Sequence, residues 1–380
     1  MQFDLTEDQA AIRNSLRRFL QASGGPGLAF AASDPARAAG NETLPPRVWR
    51  GLVEELGLGA MLVAEEAGGI GLDHVALAGV MEELGRVVAP GPFLSTALGA
   101  IALGAAAASP AAGHWLPGIA EGRVTAAFGH EPHERGPHAG QPLRYGRAGG
   151  VLTLQGTVGA VIEGAAADLL VLAVDGPDGP TLVALAADTP GLTVTTLPTL
   201  DLTRRLAVVE ATAVVADSDT WLAAPGPAGE ALRADTLRRG AIALAAESLG
   251  GAQRCMDLSV DYARTRVQFG RVIGSFQSIA HKCADMLVKV ETARSAVLHA
   301  AWAAQTGGDD LATVAALAKA TAAEAYFRVA GSMIQVHGGI GFTWEHEAHL
   351  HFKRARSSLE LLGSTAAHRE AIAAMLLDVA

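Results

Sequence analysis

The chain has 380 residues, half of them hydrophobic and 18% charged, with a formal net charge of −10. That length exceeds one small core and points to two or three packed units, while the apolar share excludes global disorder. The acidic balance argues against a nucleic-acid partner, because phosphate contacts need clustered Lys and Arg. Two cysteines, Cys255 and Cys283, are too few for a disulfide framework or a four-ligand zinc site. Both fall within helical patterns, as free buried thiols do.

The start, MQFDLTEDQ, lacks the basic stretch and apolar run of a secretion signal. The most apolar window, residues 97–112, is alanine-rich, interrupted by proline and too short to span a bilayer. A soluble cytoplasmic protein is therefore expected.

Residues 1–122 read as a helical domain. Thr6 and Gln9 have the spacing of a capping box, and Ile12, Leu16, Phe19 and Leu20 come next on one face. Two further amphipathic runs, PRVWRGLVEELG and LDHVALAGVMEELGRVV, each contain a glycine where a C-cap is expected. From residue 123 to 222 the texture changes to short Val-, Leu- and Thr-rich runs separated by Gly, Pro and Asp, which predicts a β-sandwich or barrel. Residues 223–380 return to helix: three long segments and a shorter one around 360–378 predict a four-helix bundle. The order is α, β, α, an α+β fold.

The most specific string is RTRVQFGRVIGSFQSIAHKCADM, residues 264–286, in which one helix ends, a glycine marks a turn and a second helix begins. A helix N-terminus beside Arg266 is suited to an anion such as a pyrophosphate. The later QVHGGIGF, residues 335–342, stops a helix on Gly338-Gly339 and exposes backbone to a flat ligand or a phosphate. It is no dinucleotide fingerprint of the strand-first type, since a helix precedes it.

In this order the two strings resemble those of the acyl-CoA dehydrogenase family. AEEAGGIGL (64–72) and EELGRVVAPGPF (82–93) extend the resemblance over nearly the whole chain. It implies FAD held between the middle sheet and the C-terminal bundle, partly by a neighbouring subunit. The matching cofactor positions are Arg266, Gln268, Phe269, Gln277, Gln335, Gly338 and Gly339. It also implies an acyl-CoA or other acyl thioester as substrate, a homo- or hetero-oligomer, and a flavoprotein as electron acceptor. No metal is implied, although His130, His133 and His138 share one loop and His346, His349 and His351 another segment.

Several positions depart from the family. Residues 123–138 keep Glu131-Pro132 of a flavin-side loop, but the glycine-serine part of that loop is replaced. Ala160 and Ile162 stand where an aromatic and a Thr often face the flavin. The base that removes the substrate's α-proton is a Glu just before Gly-Thr in many members; here that position, before Gly363-Ser364, is Leu362. In a second group the base lies on an earlier helix, at the position of Gly240. Glu360, two residues from Leu362, reads as a solvated or ion-paired residue beside Lys353 and Arg356. Glu247 is the candidate base, on one helical face with Gly240 and Gly251, where missing side chains would admit a ligand. The competing reading pairs Glu247 with Arg254 or with a residue of another helix. His337 reads either as a flavin contact or as a helix-end residue. Residues 201–210, 246–259 and 349–363 also look like a bacterial branch that includes small subunits of α2β2 acyl-CoA dehydrogenases for bulky substrates such as sterol side chains. In those assemblies the partner supplies the base and the small subunit contributes FAD contacts, a non-catalytic role that stands as the alternative here.

Overall fold

The computed structural model describes residues 6–34, 44–71, 73–130, 141–148, 151–307 and 310–377. Glu131-Pro132, His133 and His138 lie outside them. The chain divides into two compact units, one made of residues 1–34, 74–89 and 241–380, the other of 35–73 and 90–240. The N-terminal helices are thus shared between the two.

In the first unit, helix α1 (Glu7–Ala22) starts on the capping box expected at Thr6 and Gln9, and buries Leu16 and Leu20. Helix α2 (Gly27–Ala32) comes next, and α3 (Pro46–Arg50), which belongs to the second unit, continues as one π-turn over Gly51–Glu55. Helix α4 (His74–Arg86) returns to the first unit. Gly85, expected as a cap, lies inside α4. A Cβ there would sit 2.0 Å from the Glu247 carbonyl oxygen, and one at Gly250 would sit 1.9 Å from that of Glu82. These glycines let two helix backbones touch. Around the crossing, Glu82 and Glu83 are buried and answered by Arg13, Arg17 and Arg294, at 2.6–3.0 Å.

The second unit carries helices α5 (Phe93–Ala105) and α6 (Pro110–Ala120) and two sheets. The smaller sheet orders β1 (Ala126–Gly129), β4 (Leu169–Val174) and β5 (Thr181–Ala186), with β1 parallel to β4. The larger is antiparallel and orders β2 (Arg144–Ala148), β3 (Val151–Ile162), β7 (Leu206–Val215) and β6 (Leu192–Leu197). Leu154, Val158, Leu170, Leu172 and Val209 fill one core from both sheets, the two-sheet arrangement predicted from the short Val-rich runs. Ala160 takes a φ of 55° where β3 shifts register between Val158 and Val161.

Helix α7 (Pro227–Thr265) begins in the second unit and passes at residue 241 into the first. The hairpin β8 (Val267–Gln268) and β9 (Arg271–Val272), then α8 (Gln277–Thr306) and α9 (Leu311–His337), complete the long elements. The short helix expected around 360–378 is α11 (Thr365–Leu377), and a further helix, α10 (Ala348–Glu360), precedes it. Among the described residues no helix is long and apolar enough to cross a membrane.

Candidate cofactor and base site

Arg266 begins the hairpin that joins α7 to α8, its backbone N–H donating to Tyr262 O at 2.8 Å. The hairpin turns through Phe269 (φ 52°) and Gly270 (φ 77°), two consecutive left-handed residues between the paired Gln268 and Arg271. That is the geometry of a two-residue I′ turn. Glycine accepts it freely; phenylalanine does not, and Phe269 is nevertheless 92% exposed. Phe276 supports the hairpin edge-on to Phe269 at 6.1 Å, with the Arg271 guanidinium 4.0 Å over its ring. Gln277 then opens the 30-residue α8, and no side chain caps its N-terminus.

At the end of α9, Gln335 is exposed and His337 is buried. Gly338 caps the helix at φ 60°, ψ −133°, a region open to glycine alone, and a Cβ on Gly338 or Gly339 would meet no atom within 4 Å. The two motifs are brought together by stacked rings: Tyr262 lies on His337 with centroids 4.5 Å apart. All seven residues expected to hold FAD thus gather in one unit. Their chemistry suits that dinucleotide: a guanidinium, three amides, an uncapped helix start and open glycine backbone.

Glu247 is placed otherwise than the ligand-lined face predicted. Its Oε1 lies 2.8 Å from Nη1 of Arg354, and the side chains are 5% and 2% exposed. Arg354 also donates to Ala89 O at 3.3 Å. At Gly251 the glycine stripe that suggested a ligand is filled by protein, since a Cβ there would strike the Tyr326 ring at 2.3 Å, and α4 presses on the neighbouring Gly250. Arg254, the other suggested partner, bonds Glu347 at 2.8 Å instead. Glu360 is exposed and paired with Arg356. It ends α10, so helical spacing does not carry on to Leu362, which takes a left-handed φ of 57° ahead of Gly363 at 100°. That turn is fastened from two sides. Buried Lys319 donates to Ser358 O (2.8 Å) and Gly363 O (3.2 Å), and His368 Nε2 donates to Leu362 O at 2.9 Å.

The C-terminal histidines are absorbed by the protein itself. Tyr326 donates to His351 Nδ1 at 2.9 Å, and His351 Nε2 faces Glu347 at 3.4 Å. His349 bonds Trp344 O, and His346 Nδ1 accepts the Ala348 N–H. Cys255 is buried and burial pushes its thiol up; Cys283 is partly buried.

Residues 6–123 match the model of the acyl-CoA dehydrogenase N-terminal domain, and residues 229–377 that of the C-terminal domain. The chain is 36% identical to the acyl-CoA dehydrogenase IpdE2 of Mycolicibacterium smegmatis over 94% of its own length and 96% of that protein's. It belongs to the acyl-CoA dehydrogenase family. Members of this family are FAD-dependent oxidoreductases that desaturate acyl-CoA thioesters at the α,β bond. Among solved structures, this acyl-CoA dehydrogenase superposes on a chain of the ChsE4–ChsE5 complex of Mycobacterium tuberculosis with a TM-score of 0.88, at 25% identity over the full length of both. It superposes on a chain of the Tcur3481–Tcur3483 steroid acyl-CoA dehydrogenase with a TM-score of 0.86, at 27% identity over 98% of each. Tyr262 leaves no mark in the sequence: a lone tyrosine on a helix carries no signal until its neighbour across the fold is known.

Two results are expected from this geometry. Arg266→Ala should weaken FAD binding at least about tenfold, the worth of one charge-assisted contact. Unchanged flavin absorbance after extensive dialysis, with the fold intact, would place the cofactor elsewhere. The second concerns acid. Burial works to raise the Glu347 carboxyl, but hydrogen bonds from His351 and Arg254 outweigh it and bring it to about 2. A depressed carboxylate stabilises the fold above its unfolded value of 4.5, and that stability drains as pH falls toward 2, about 3 kcal/mol in all. Burial also lowers His337, His346, His349, His351 and His368 below 6.5, so the unfolded chain takes up more protons and stability already declines below that pH. Urea midpoints should therefore fall from pH 7 to 5 and again below 4.5. A flat profile would contradict both assignments.

Proposed function

We propose that this chain works as the FAD-contacting, base-deficient subunit of a two-chain acyl-CoA dehydrogenase acting on a bulky acyl-CoA. One observation carries the reading: Leu362 stands where the family's carboxylate is expected, and the remaining candidate, Glu247, is committed to Arg354 in a buried ion pair. A base must reach the proton it removes, and neither residue is arranged to. Glu247 is then a structural residue. FAD, when bound, accepts the β-hydrogen as hydride.

This chain's own residues do the holding. Arg266 would neutralise the pyrophosphate, Gln268, Gln277 and Gln335 would offer amides, and Gly338 and Gly339 would let the dinucleotide approach the backbone. Phe269, strained and exposed, is presented to a site completed by another subunit. The named likenesses to a ChsE4–ChsE5 complex and to a two-component steroid enzyme support a second, different chain and a steroid-derived acyl group. The working compartment is the cytoplasm.

Co-expression with the product of a neighbouring gene tests the assembly. Light scattering and flavin absorbance should show a heteromer that retains FAD, and a chain that binds flavin poorly when alone. A stand-alone chain with tight, stoichiometric FAD and full turnover would overturn the proposal.

A further inference from the structure

Three rings occupy the ground between the two FAD motifs. Tyr262 and His337 lie nearly parallel (23°), and His346 has its centroid 4.4 Å from that of His337. Tyr262 sits one helical turn before Arg266 and accepts its backbone N–H; His337 directly precedes Gly338; His346 lies just ahead of α10. We infer that this stack is a positioning device for the cofactor: it sets the distance between the Arg266 guanidinium and the Gly338–Gly339 backbone, so that both meet one dinucleotide. The inference rests on the FAD site proposed above.

Hydrogen bonds fix the proton on each imidazole. His337 Nδ1 lies 2.8 Å from Met333 O, a pure acceptor, so Nδ1 carries the hydrogen and Nε2 is bare. His346 Nδ1 accepts the Ala348 N–H at 3.1 Å, so its hydrogen is on Nε2. Protonating His346 would put N–H against N–H at the start of α10. Protonating both imidazoles would set two cations with ring centroids 4.4 Å apart in the stack. Burial lowers both rings, and charge on His337, His351 or His349 lowers His346 further. Glu347 pulls both rings the opposite way, as the Met333 carbonyl does for His337, and burial outweighs them. The stack is therefore intact at neutral pH and loosened by acid.

The test is a fluorescence titration of FAD into the full chain, in the assembly in which it purifies, at pH 7.5 and 5.5, with far-UV circular dichroism as a check on folding. Tyr262→Phe keeps the ring and should bind within about twofold of the parent, whereas Tyr262→Leu keeps only bulk and should weaken binding about fivefold, as expected for a lost aromatic pair. The parent's affinity should drop several-fold at pH 5.5, and His337→Phe, which stacks without titrating, should show half that drop or less. Parent-like binding by Tyr262→Leu would overturn the inference, as would a parent affinity that is flat between the two pH values. If Tyr262→Leu does not fold, the comparison of parent and His337→Phe decides alone. Arg266→Ala separates the two levels: if it binds as the parent does, the site itself is misplaced, and if it alone is weakened, only the stack fails.

Discussion

Assayed without a partner on a panel of acyl-CoA thioesters with an artificial electron acceptor, this chain should turn over at least about 10²-fold more slowly than the co-assembled enzyme. A positioned base contributes roughly 10²–10⁴-fold to proton abstraction. Leu362 has no proton acceptor, and Gly240, on the earlier helix, has no side chain. Glu247 is held 2.8 Å from a guanidinium that also bonds Ala89 O, so using it as a base would break a buried ion pair at each turnover. Supplying FAD in excess separates this deficit from weak cofactor binding. Rates with saturating flavin that match the assembled enzyme would show that the chain owns a base. Glu247→Gln would then be the variant to examine, since it keeps shape and removes basicity.

Glu247→Gln should itself cost about 3 kcal/mol of folding stability, a figure typical of removing one partner of a buried ion pair. The loss comes mostly from Arg354, whose buried charge, at 2% side-chain exposure, then loses its carboxylate. Arg354→Met should cost a similar amount, because the buried Glu247 carboxylate then loses its guanidinium. The double variant Glu247→Leu/Arg354→Met removes both charges and should recover most of the loss, since a well-packed apolar pair often replaces a buried ion pair at no net cost. Urea unfolding with shared m-values of Glu247→Leu, Arg354→Met and their double variant closes this cycle. Near-additive single losses would mean that the pair is not coupled. In the assembled enzyme, turnover per folded molecule should be unaffected by Glu247→Gln; loss of turnover without loss of stability would restore Glu247 as a base.

What the sequence determined by itself is local. The Thr6–Gln9 capping box, the change from helical period to short Val-rich runs, and the glycine at each motif turn all act over a few residues, so pattern and propensity reveal them. The Arg266–Gln277 string was legible for the same reason: helix end, two-residue turn and new helix are contiguous, and an arginine beside a helix start has only a few uses. Tertiary structure decided everything that depends on a partner far along the chain. Glu247 meets Arg354, 107 residues away, and Tyr262 meets His337. A stripe of glycines with one carboxylate looks the same in sequence whether a ligand or another part of the protein will lie on it, because both need only close approach; at Gly251 Tyr326 took the space. The break at Leu362 was hidden too. Leucine shows no preference for a left-handed backbone, and it is the bonds from Lys319 and His368 to the carbonyls of Ser358, Leu362 and Gly363 that hold the turn there.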